Sequence, residues 1–318
     1  MENVPIIDIA GLRTGDAKAT SEVAGHIYDA CTTIGFFYVV GHGVPNAVID
    51  AAFTASKTFF DQLIECKREA AVNEVYHGFT EMKVDELWGT RNIAPFETFA
   101  FGAPYAPEEL SKLPAGSFLG PNVWPKIAGF ENTMTAYFNA VTSSSQDVLR
   151  AMAIGLNQDP DFFTRRFQRR SSVCTMLHYP PLPSDAGDSW VSSTPHTDAD
   201  CITFLAQDSN GGLEVQTRDG GNWIAVPPTP YSFVCNIGDL MARWTNDHFT
   251  STLHRVINRS GRERFSIATF NNPDPEAVID PRDMDDSLGE SCYPPITAGD
   301  YMTEYMRQIY AANQAATA

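Results

Sequence analysis

The spacing of apolar residues divides the chain into a helical first half and a strand-rich second half. Apolar residues recur every three or four positions in three stretches, which predicts amphipathic helices over 21–34, 46–63 and 130–156. We expect the first helix to begin at a Thr20/Ser21 cap and the second to bury Leu63 together with its phenylalanines. The third is long enough to lie along the outside of a barrel.

From about residue 170 the period of the pattern changes from 3.6 to 2. Eight apolar runs separated by turn sequences follow: SVCTMLHYP, the HTD strand, CITFLAQ, GLEVQT, NWIAV, SFVCNI, LHRVIN and RFSIATF. Eight short strands with tight turns indicate an α+β fold with a mainly β core, a double-stranded β-helix or jelly-roll barrel with surrounding helices.

The same pattern predicts four parts along the chain. Short apolar strands at VPIIDI and GFFYVV flank the first helix, His42 occupies a turn as a structural residue, and residues 74–125 are predicted to be long loops over the core. A final loop and helix follow the barrel. The predicted parts are an α-rich cap (1–125), a buttressing helix (126–168), the barrel core (169–280) and a C-terminal loop and helix (281–318).

Composition and charge limit the classes of function. The 318 residues carry a net charge of −17, and 43% of them are hydrophobic, so the chain can form a globular core. An acidic surface repels phosphate backbones and anionic lipid, which argues against nucleic-acid and membrane partners and is compatible with a soluble monomer. With no signal-like or spanning segment, we expect a cytoplasmic protein whose six scattered cysteines are reduced core residues.

Candidate metal ligands stand in the HTD run and 56 residues beyond it. Residues i and i+2 of a strand point to one face, so the side chains of His196 and Asp198 can reach one metal ion, and His254 completes the set. Two histidines and one carboxylate are the ligands of non-haem Fe(II) oxygenases, which keep three adjacent coordination positions open. His-x-Asp by itself arises often by chance, so the order and spacing of the other residues matter.

A candidate anion receptor follows ten residues after His254. Alternation in RFSIATF places Arg264 and Ser266 on the same face of a barrel strand. An arginine turned into a barrel is costly unless an anion satisfies it, and its planar fork suits a carboxylate. The pair therefore predicts a receptor for the distal carboxylate of a dicarboxylic acid.

At these residues the chain resembles the 2-oxoglutarate-dependent Fe(II) dioxygenases, in the branch that includes isopenicillin N synthase and the plant flavonoid and hormone oxygenases. The resemblance extends over most of residues 4–310, through PHTDADCITFLAQDSNGGLEVQ, NIGDLMARWTNDHFTSTLHRVIN, SGRERFSIATFNNPDPEAVI, GFFYVVGHGVP and PFETFAFG. It implies that the triad binds Fe(II), that Arg264 and Ser266 bind 2-oxoglutarate, and that Tyr179 contacts the same carboxylate. Leu177 stands where plant members carry an asparagine, so no asparagine contact is expected.

The resemblance implies the chemistry but leaves the substrate open. With O₂ as cosubstrate, an Fe(IV)-oxo species would hydroxylate, desaturate or cyclise a small molecule, in natural-product or amino-acid-derived metabolism. Continuing the Arg264 face along its strand brings Phe270 and Asn272 toward the barrel mouth. Further candidate substrate contacts are Asp200, as a partner for a cationic amine or else a solvent-facing turn residue, and Phe99 and Arg91 in the loop region.

Alternative functions differ in what they require of the motif. An oxidase of the isopenicillin N synthase kind uses the same triad without 2-oxoglutarate and also carries Arg-x-Ser. A non-catalytic jelly-roll binding protein would not need the complete polar cluster. A cupin-type isomerase or a zinc hydrolase could use similar ligands, but neither requires Arg264 and Ser266. Succinate formation that depends on 2-oxoglutarate separates the first interpretation from the oxidase.

Overall fold

The computed structural model of this protein describes residues 3–81, 96–112, 119–168, 171–182, 190–284 and 289–316, with side chains in the last helix described through residue 308. Within this part of the chain, no helix is both long enough and apolar enough to cross a bilayer. The arrangement of strands confirms the predicted jelly roll, with an eight-stranded sheet, a four-stranded sheet and helices around them.

Twelve strands form the two sheets. The eight-stranded sheet has the order β1-β2-β10-β7-β12-β5-β4-β3, and the four-stranded sheet has the order β6-β11-β8-β9. The strands are β1 Ile6–Asp8, β2 Phe36–Val40, β3 Gly78–Glu81, β4 Glu97–Gly102, β5 Val173–Tyr179, β6 Ser193–His196, β7 Ile202–Gln207, β8 Leu213–Gln216, β9 Trp223–Ala225, β10 Phe233–Ile237, β11 His254–Val256 and β12 Arg264–Asn271, with β13 Val278–Ile279 and β14 Ile296–Thr297 as a separate pair. All eight runs predicted after residue 170 are strands, β5 to β12.

Seven α-helices lie in the described ranges. They are α1 Ala17–Thr33, α2 Asn46–Phe60, α3 Ile64–Arg68, α4 Pro107–Leu110, α5 Phe130–Gly155, α6 Asp239–Trp244 and α7 Ala298–Ala316. Among them, α1, α2 and α5 contact strands of the large sheet. Helix α5 packs against α1 and α2 and buries residues at the predicted three and four spacing. The long helix therefore lies along the outside of the barrel, as its pattern indicates.

The side chains on the two faces of the large sheet belong to two separate apolar clusters. One lies between the sheet and the helices and contains Phe204, Cys235 and Ile267. The other, which contains Tyr38, Tyr179 and the interior faces of the small sheet, lies between the two sheets. Because successive residues of a strand point to opposite faces, inner strands of the large sheet such as β2, β7 and β10 contribute side chains to both clusters.

Several sequence predictions about local structure were wrong. Helix α1 begins earlier than Thr20, because the carboxylate of Asp16 caps it by accepting the backbone N–H of Lys18. Leu63 lies beyond the end of α2 and is 75% exposed. Part of the segment predicted to be loops forms β3 and β4 and extends the sheet, although the segment is rich in Gly, Pro and aromatic residues.

Two of the six cysteines also differ from expectation. Cys66 and Cys292 are exposed, whereas the other four cysteines are buried. The strands of the first 125 residues lie at both edges of the large sheet, β1 and β2 at one edge and β3 and β4 at the other. The sheet therefore has no break at residue 125, and the four-part division of the chain stays a prediction.

Candidate active site

Two neighbouring strands of the small sheet bring the histidines of the candidate metal site together. His196, the last residue of β6, lies directly opposite His254, the first residue of β11, and their ring centroids are 4.3 Å apart. Asp198 lies two residues beyond the end of β6, where its backbone carbonyl accepts the N–H of Asp239 at 2.7 Å. The strand predicted through Asp198 thus ends at His196, and a hydrogen bond to Asp239 fixes the backbone of Asp198 instead.

The three side chains converge through specific atoms. Nε2 of His254 lies 3.6 Å from Oδ1 of Asp198, and Nε2 of His196 lies 3.9 Å from the same oxygen. The Nδ1 atoms face backbone carbonyls, that of His196 at Thr194 (2.7 Å) and that of His254 at Thr252 (3.2 Å). A carbonyl can only accept, so each Nδ1 carries the proton and each Nε2 presents its lone pair to the centre.

The second oxygen of Asp198 is held by two donors inside the barrel. Thr203 Oγ1 donates to Oδ2 at 2.5 Å and Asn236 Nδ2 donates to it at 2.7 Å. Burial alone would raise the pKa of Asp198, but the two histidines and these hydrogen bonds lower it, and burial lowers the pKa of His254. The ionised carboxylate of Asp198 and the two imidazoles therefore meet at one point.

This donor set fits Fe(II). Ligand atoms of the three residues lie within 4.8 Å of one another, and they form the only such group of three or more His, Cys, Asp or Glu in the described ranges. Their types are those of the facial triad of non-haem iron oxygenases. His254 and Asp198 are buried, whereas 42% of the side chain of His196 is accessible, so the open side of the triad faces the barrel mouth.

A buried cation lies at the other end of the barrel interior. Arg264 is fully buried and donates through Nε to the carbonyl of Gly211 (2.7 Å), through Nη1 to Ser266 Oγ (3.0 Å) and through Nη2 to Gln207 Oε1 (3.0 Å). Among the described residues no carboxylate lies within 4.0 Å of its guanidinium. Its burial lowers the pKa of Arg264, because a charge without a close counter-ion is poorly solvated there.

Tyr179 completes this end of the site. It pairs with Arg264 across β5 and β12, and the guanidinium lies 4.9 Å from the centroid of its ring. Burial raises the pKa of Tyr179, while Arg264 and Ser266 act in the opposite direction. The structure thus brings together the three predicted carboxylate contacts, and one anion there would neutralise an otherwise unpaired buried charge.

One strand pair connects the two ends. Ser266 pairs with Gln207 at the cation, and Phe270 pairs with Thr203, the residue that bonds the metal-ligand carboxylate. Four residues of β7 separate these positions, a rise of about 13 Å. An extended small molecule lying between the sheets can therefore contact both ends at once.

Two predicted substrate contacts lie near the mouth. Phe270 is partly exposed on the interior face of β12, and no aromatic ring of the described residues stacks on it. Asn272 follows that strand with the same parity, and its Oδ1 is buried without a hydrogen-bond partner in the described structure. An unpaired buried amide oxygen is costly, so this oxygen is a candidate acceptor for a ligand N–H or O–H.

The other predicted substrate contacts require correction. Asp200 is 2% exposed and bonds Thr203 and the backbone N–H of Asn271, so it is neither a solvent-facing turn residue nor free to meet an amine. Its burial, and next to that Asp198, raises the pKa of Asp200. Phe99 lies on the helix-facing side of β4, 4.8 Å from the ring of Phe59, because alternation turns it away from the interior. Arg91 lies outside the described residues.

Sequence reasoning missed the residues that hold Asp198 and Arg264 in position. Thr203, Asn236 and Gln207 all point into the barrel from β7 and β10, beside the triad or the arginine. Polar residues on the interior face of runs that are otherwise apolar, CITFLAQ and SFVCNI, are the signal that could have identified them. Buried polar groups need partners, so their position predicts a polar site nearby.

Comparison with known proteins agrees with this geometry. Residues 171–273 match the family model of the 2OG-Fe(II) oxygenase superfamily, and residues 4–127 match that of the non-haem dioxygenase in morphine synthesis N-terminal region. A 2-oxoglutarate-Fe(II) type oxidoreductase of Emericella nidulans is 31% identical over 98% of this chain and 91% of its own length. The 2-oxoglutarate-dependent dioxygenase citB of Monascus ruber is 32% identical, with 84% of each chain covered.

A solved structure of similar shape carries ligands. The structure of a full-length Neurospora crassa protein in complex with alpha-KG and thymine has a TM-score of 0.86 and 27% sequence identity, over 96% of this chain and 97% of that one. The same protein was also solved with alpha-KG alone, at 29% identity and a TM-score of 0.85. Both the chain fold and the arrangement of the sheets are therefore shared with a protein that binds alpha-KG.

Proposed function

The chain belongs to the 2-oxoglutarate–Fe(II) oxygenase superfamily, and from that premise we propose that His196, Asp198 and His254 are its iron ligands. It is a non-haem oxygenase that uses Fe(II), 2-oxoglutarate and O₂. The single observation that carries the assignment of ligands is the convergence of two Nε2 lone pairs and one carboxylate oxygen on one point. When bound, the iron supplies the activation of O₂ and the oxidation of a C–H bond.

The protein's own part at the metal end is to fix three ligand atoms. The carbonyls of Thr194 and Thr252 hold the protons of the imidazoles on the far side of each ring. Thr203 and Asn236 hold the far oxygen of Asp198, so that only Oδ1 remains for the metal. These partners orient the ligands before iron binds, which reduces the rearrangement that binding would otherwise require.

At the Arg264 end of the interior, the role of the protein is to hold the cosubstrate. Arg264, Ser266 and Tyr179 bind the distal carboxylate of 2-oxoglutarate in this proposal, and the keto-acid end then reaches the triad. Carboxylate binding relieves the burial of an unpaired guanidinium, so it is worth more here than at a surface. Apolar residues of the interior cluster surround the path between the two ends and exclude water from it.

For the substrate we infer a small molecule with a planar ring. Phe270 offers an unstacked face, and Asn272 offers an unpaired amide oxygen at the mouth. The Neurospora crassa complex with thymine, at 27% identity, supports a planar ring that carries N–H donors as the first class to test. Succinate release, measured with a panel of pyrimidines and other nitrogen heterocycles, identifies which compounds couple to 2-oxoglutarate turnover.

The first experiment tests the cosubstrate site directly. The Fe(II) protein is titrated with 2-oxoglutarate without O₂, and the weak visible charge-transfer band of a chelated keto acid is followed. We expect the band in the wild type and at least an about 150-fold weaker affinity in Arg264→Ala, the value of two hydrogen bonds to a charged group. Arg282→Ala, which removes an exposed arginine paired with Asp280, is the matched control and should titrate like the wild type.

Two results would contradict the assignment. If Arg264→Ala binds 2-oxoglutarate as tightly as the wild type, the carboxylate lies elsewhere. If the wild type binds iron but forms no band, the keto acid does not chelate the metal at this triad.

A further inference from the structure

Arg264 has an acceptor that belongs to neither the metal triad nor the Arg-x-Ser pair. Its Nη2 donates to Oε1 of Gln207, while Nε and Nη1 donate to Gly211 and Ser266. All three nitrogens of the guanidinium therefore have one fixed partner. The plane of the fork is set by protein atoms before any cosubstrate binds.

The orientation of the Gln207 amide follows from its two partners. Nε2 of Gln207 faces the carbonyl of Val226 at 3.4 Å, and Oε1 faces the guanidinium. A guanidinium can only donate and a carbonyl can only accept, so the reverse orientation of the amide is excluded. Gln207 accepts from Arg264 without adding a negative charge, which leaves the full positive charge for a carboxylate.

Gln207 also closes this end of the interior. It lies at the end of β7, where it pairs with Ser266, and it lines an outer groove of about 630 Å³ together with Lys57, Asp208 and Tyr231. Gln207 therefore borders both the guanidinium of Arg264 and this outer groove. Removing its amide would allow the guanidinium to move away from the triad, toward the groove.

We propose that Gln207 is a positioning residue that fixes the guanidinium of Arg264 and thereby sets the length of the 2-oxo dicarboxylic acid that the site accepts. The inference rests on the proposed role of Arg264. With the fork fixed, the position of the cation in the barrel interior is defined before a cosubstrate binds. Without Gln207, the cation can retreat and the site can admit a chain that is one methylene longer.

The test uses two substitutions and one matched control. Gln207→Leu keeps the side-chain bulk but removes the acceptor, and Gln207→Glu adds a charge that competes with the cosubstrate. Gln216→Leu replaces a glutamine on β8 whose amide bonds the carbonyl of Gly220 far from this end. Each Fe(II) protein is titrated without O₂ with 2-oxoglutarate and with 2-oxoadipate, and kcat and KM for both acids are then measured.

We expect weaker binding and a changed preference, with little change in kcat. Gln207→Leu should raise the dissociation constant for 2-oxoglutarate about tenfold, and Gln207→Glu should raise it further because its charge neutralises Arg264. The preference for 2-oxoglutarate over 2-oxoadipate should fall at least about fivefold in Gln207→Leu. Iron content and kcat at saturating cosubstrate should match those of the wild type and Gln216→Leu.

The outcomes separate this inference from the role of Arg264. If Arg264→Ala weakens 2-oxoglutarate binding but Gln207→Leu changes neither affinity nor preference, the inference is overturned and the proposed role of Arg264 stands. If Arg264→Ala has no effect, both fail. A Gln207→Leu protein with reduced kcat and lowered melting temperature, but unchanged affinity and preference, would show a purely structural role and would also overturn the inference.

Discussion

The two ends of the barrel interior are prepared for their ligands in opposite ways. At the metal end, two imidazoles and one carboxylate lie close together, and 42% of the side chain of His196 is accessible. At the cosubstrate end, a fully buried guanidinium has no carboxylate within 4.0 Å among the described residues. The metal end therefore offers ligand atoms for a cation, and the cosubstrate end offers a positive charge for an anion.

The groups that orient the binding side chains are of the same kind at both ends. Backbone carbonyls and neutral side chains orient the metal ligands, which keeps the negative charge of Asp198 for the ion. A neutral amide, a carbonyl and a hydroxyl orient Arg264 and keep its positive charge for the carboxylate. In both cases the supporting groups fix geometry without cancelling the charge that binds the ligand.

The largest effect should come from a substitution of a metal ligand, which should abolish iron binding, whereas a substitution of Arg264 should not. His254→Ala should lose iron and lower activity more than about 100-fold, which exceeds the loss typical of removing a hydrogen-bond partner of a ligand. Arg264→Ala should keep its iron and lose cosubstrate affinity instead. Metal content after anaerobic reconstitution and desalting measures this, with His248→Ala, a histidine that bonds Tyr28 away from the site, as the control. Equal iron retention in His254→Ala and His248→Ala would refute the triad.

A smaller effect should come from a residue that supports the metal end. Thr203→Val removes the hydroxyl that donates to Asp198 but keeps the shape of the side chain, so iron affinity should fall about 10- to 100-fold. Affinity for 2-oxoglutarate at saturating iron should stay the same, since the cation lies about 13 Å away along the strand. Competition with a chelator of known affinity measures the change.

The matched control for that substitution lies in the next strand. Thr269 is also fully buried, but it is on the helix-facing side of β12, where its hydroxyl lies 3.8 Å from Cys174 Sγ. Thr269→Val should leave iron affinity unchanged. If both valine variants weaken iron binding equally, the effect comes from the core and not from Asp198.

Most of the fold could be predicted from the sequence because the barrel strands alternate clearly. The same alternation correctly put Arg264, Ser266 and Phe270 on the interior face of β12. It could not predict the start of α1, where the cap of Asp16 outweighed a plausible Thr20/Ser21 signal. Strands β3 and β4 were missed because they lie in a segment rich in Gly, Pro and aromatic residues, a composition typical of loops.

The site was harder to predict in its supporting residues than in its ligands. The ligands stand out as charged or imidazole side chains at characteristic spacing, whereas Thr203, Asn236 and Gln207 are small neutral residues within apolar runs. Asp200 was misinterpreted for a related reason. Two residues from a ligand aspartate it looks like an exposed turn residue, but the chain folds back there and buries it against Thr203 and Asn271.

The smallest effect should come from Phe270, which shares a strand and a face with Arg264 but lies at the metal end. Phe270→Leu keeps apolar contact and removes the flat ring, so KM for a planar substrate should rise about 2- to 10-fold, the usual worth of an aromatic contact. Iron affinity, cosubstrate affinity and uncoupled 2-oxoglutarate turnover should not change.

Phe99→Leu provides the matched comparison, because Phe99 is the same residue type on the helix-facing side of the sheet. Its ring contacts Phe59 and Phe130 in the core, so the substitution should lower the free energy of unfolding by about 1 kcal/mol and leave substrate KM alone. Thermal unfolding and substrate-dependent succinate release measure the two effects side by side. If Phe99→Leu raises substrate KM and Phe270→Leu does not, the faces of the sheet are wrongly assigned and the substrate lies outside the barrel interior.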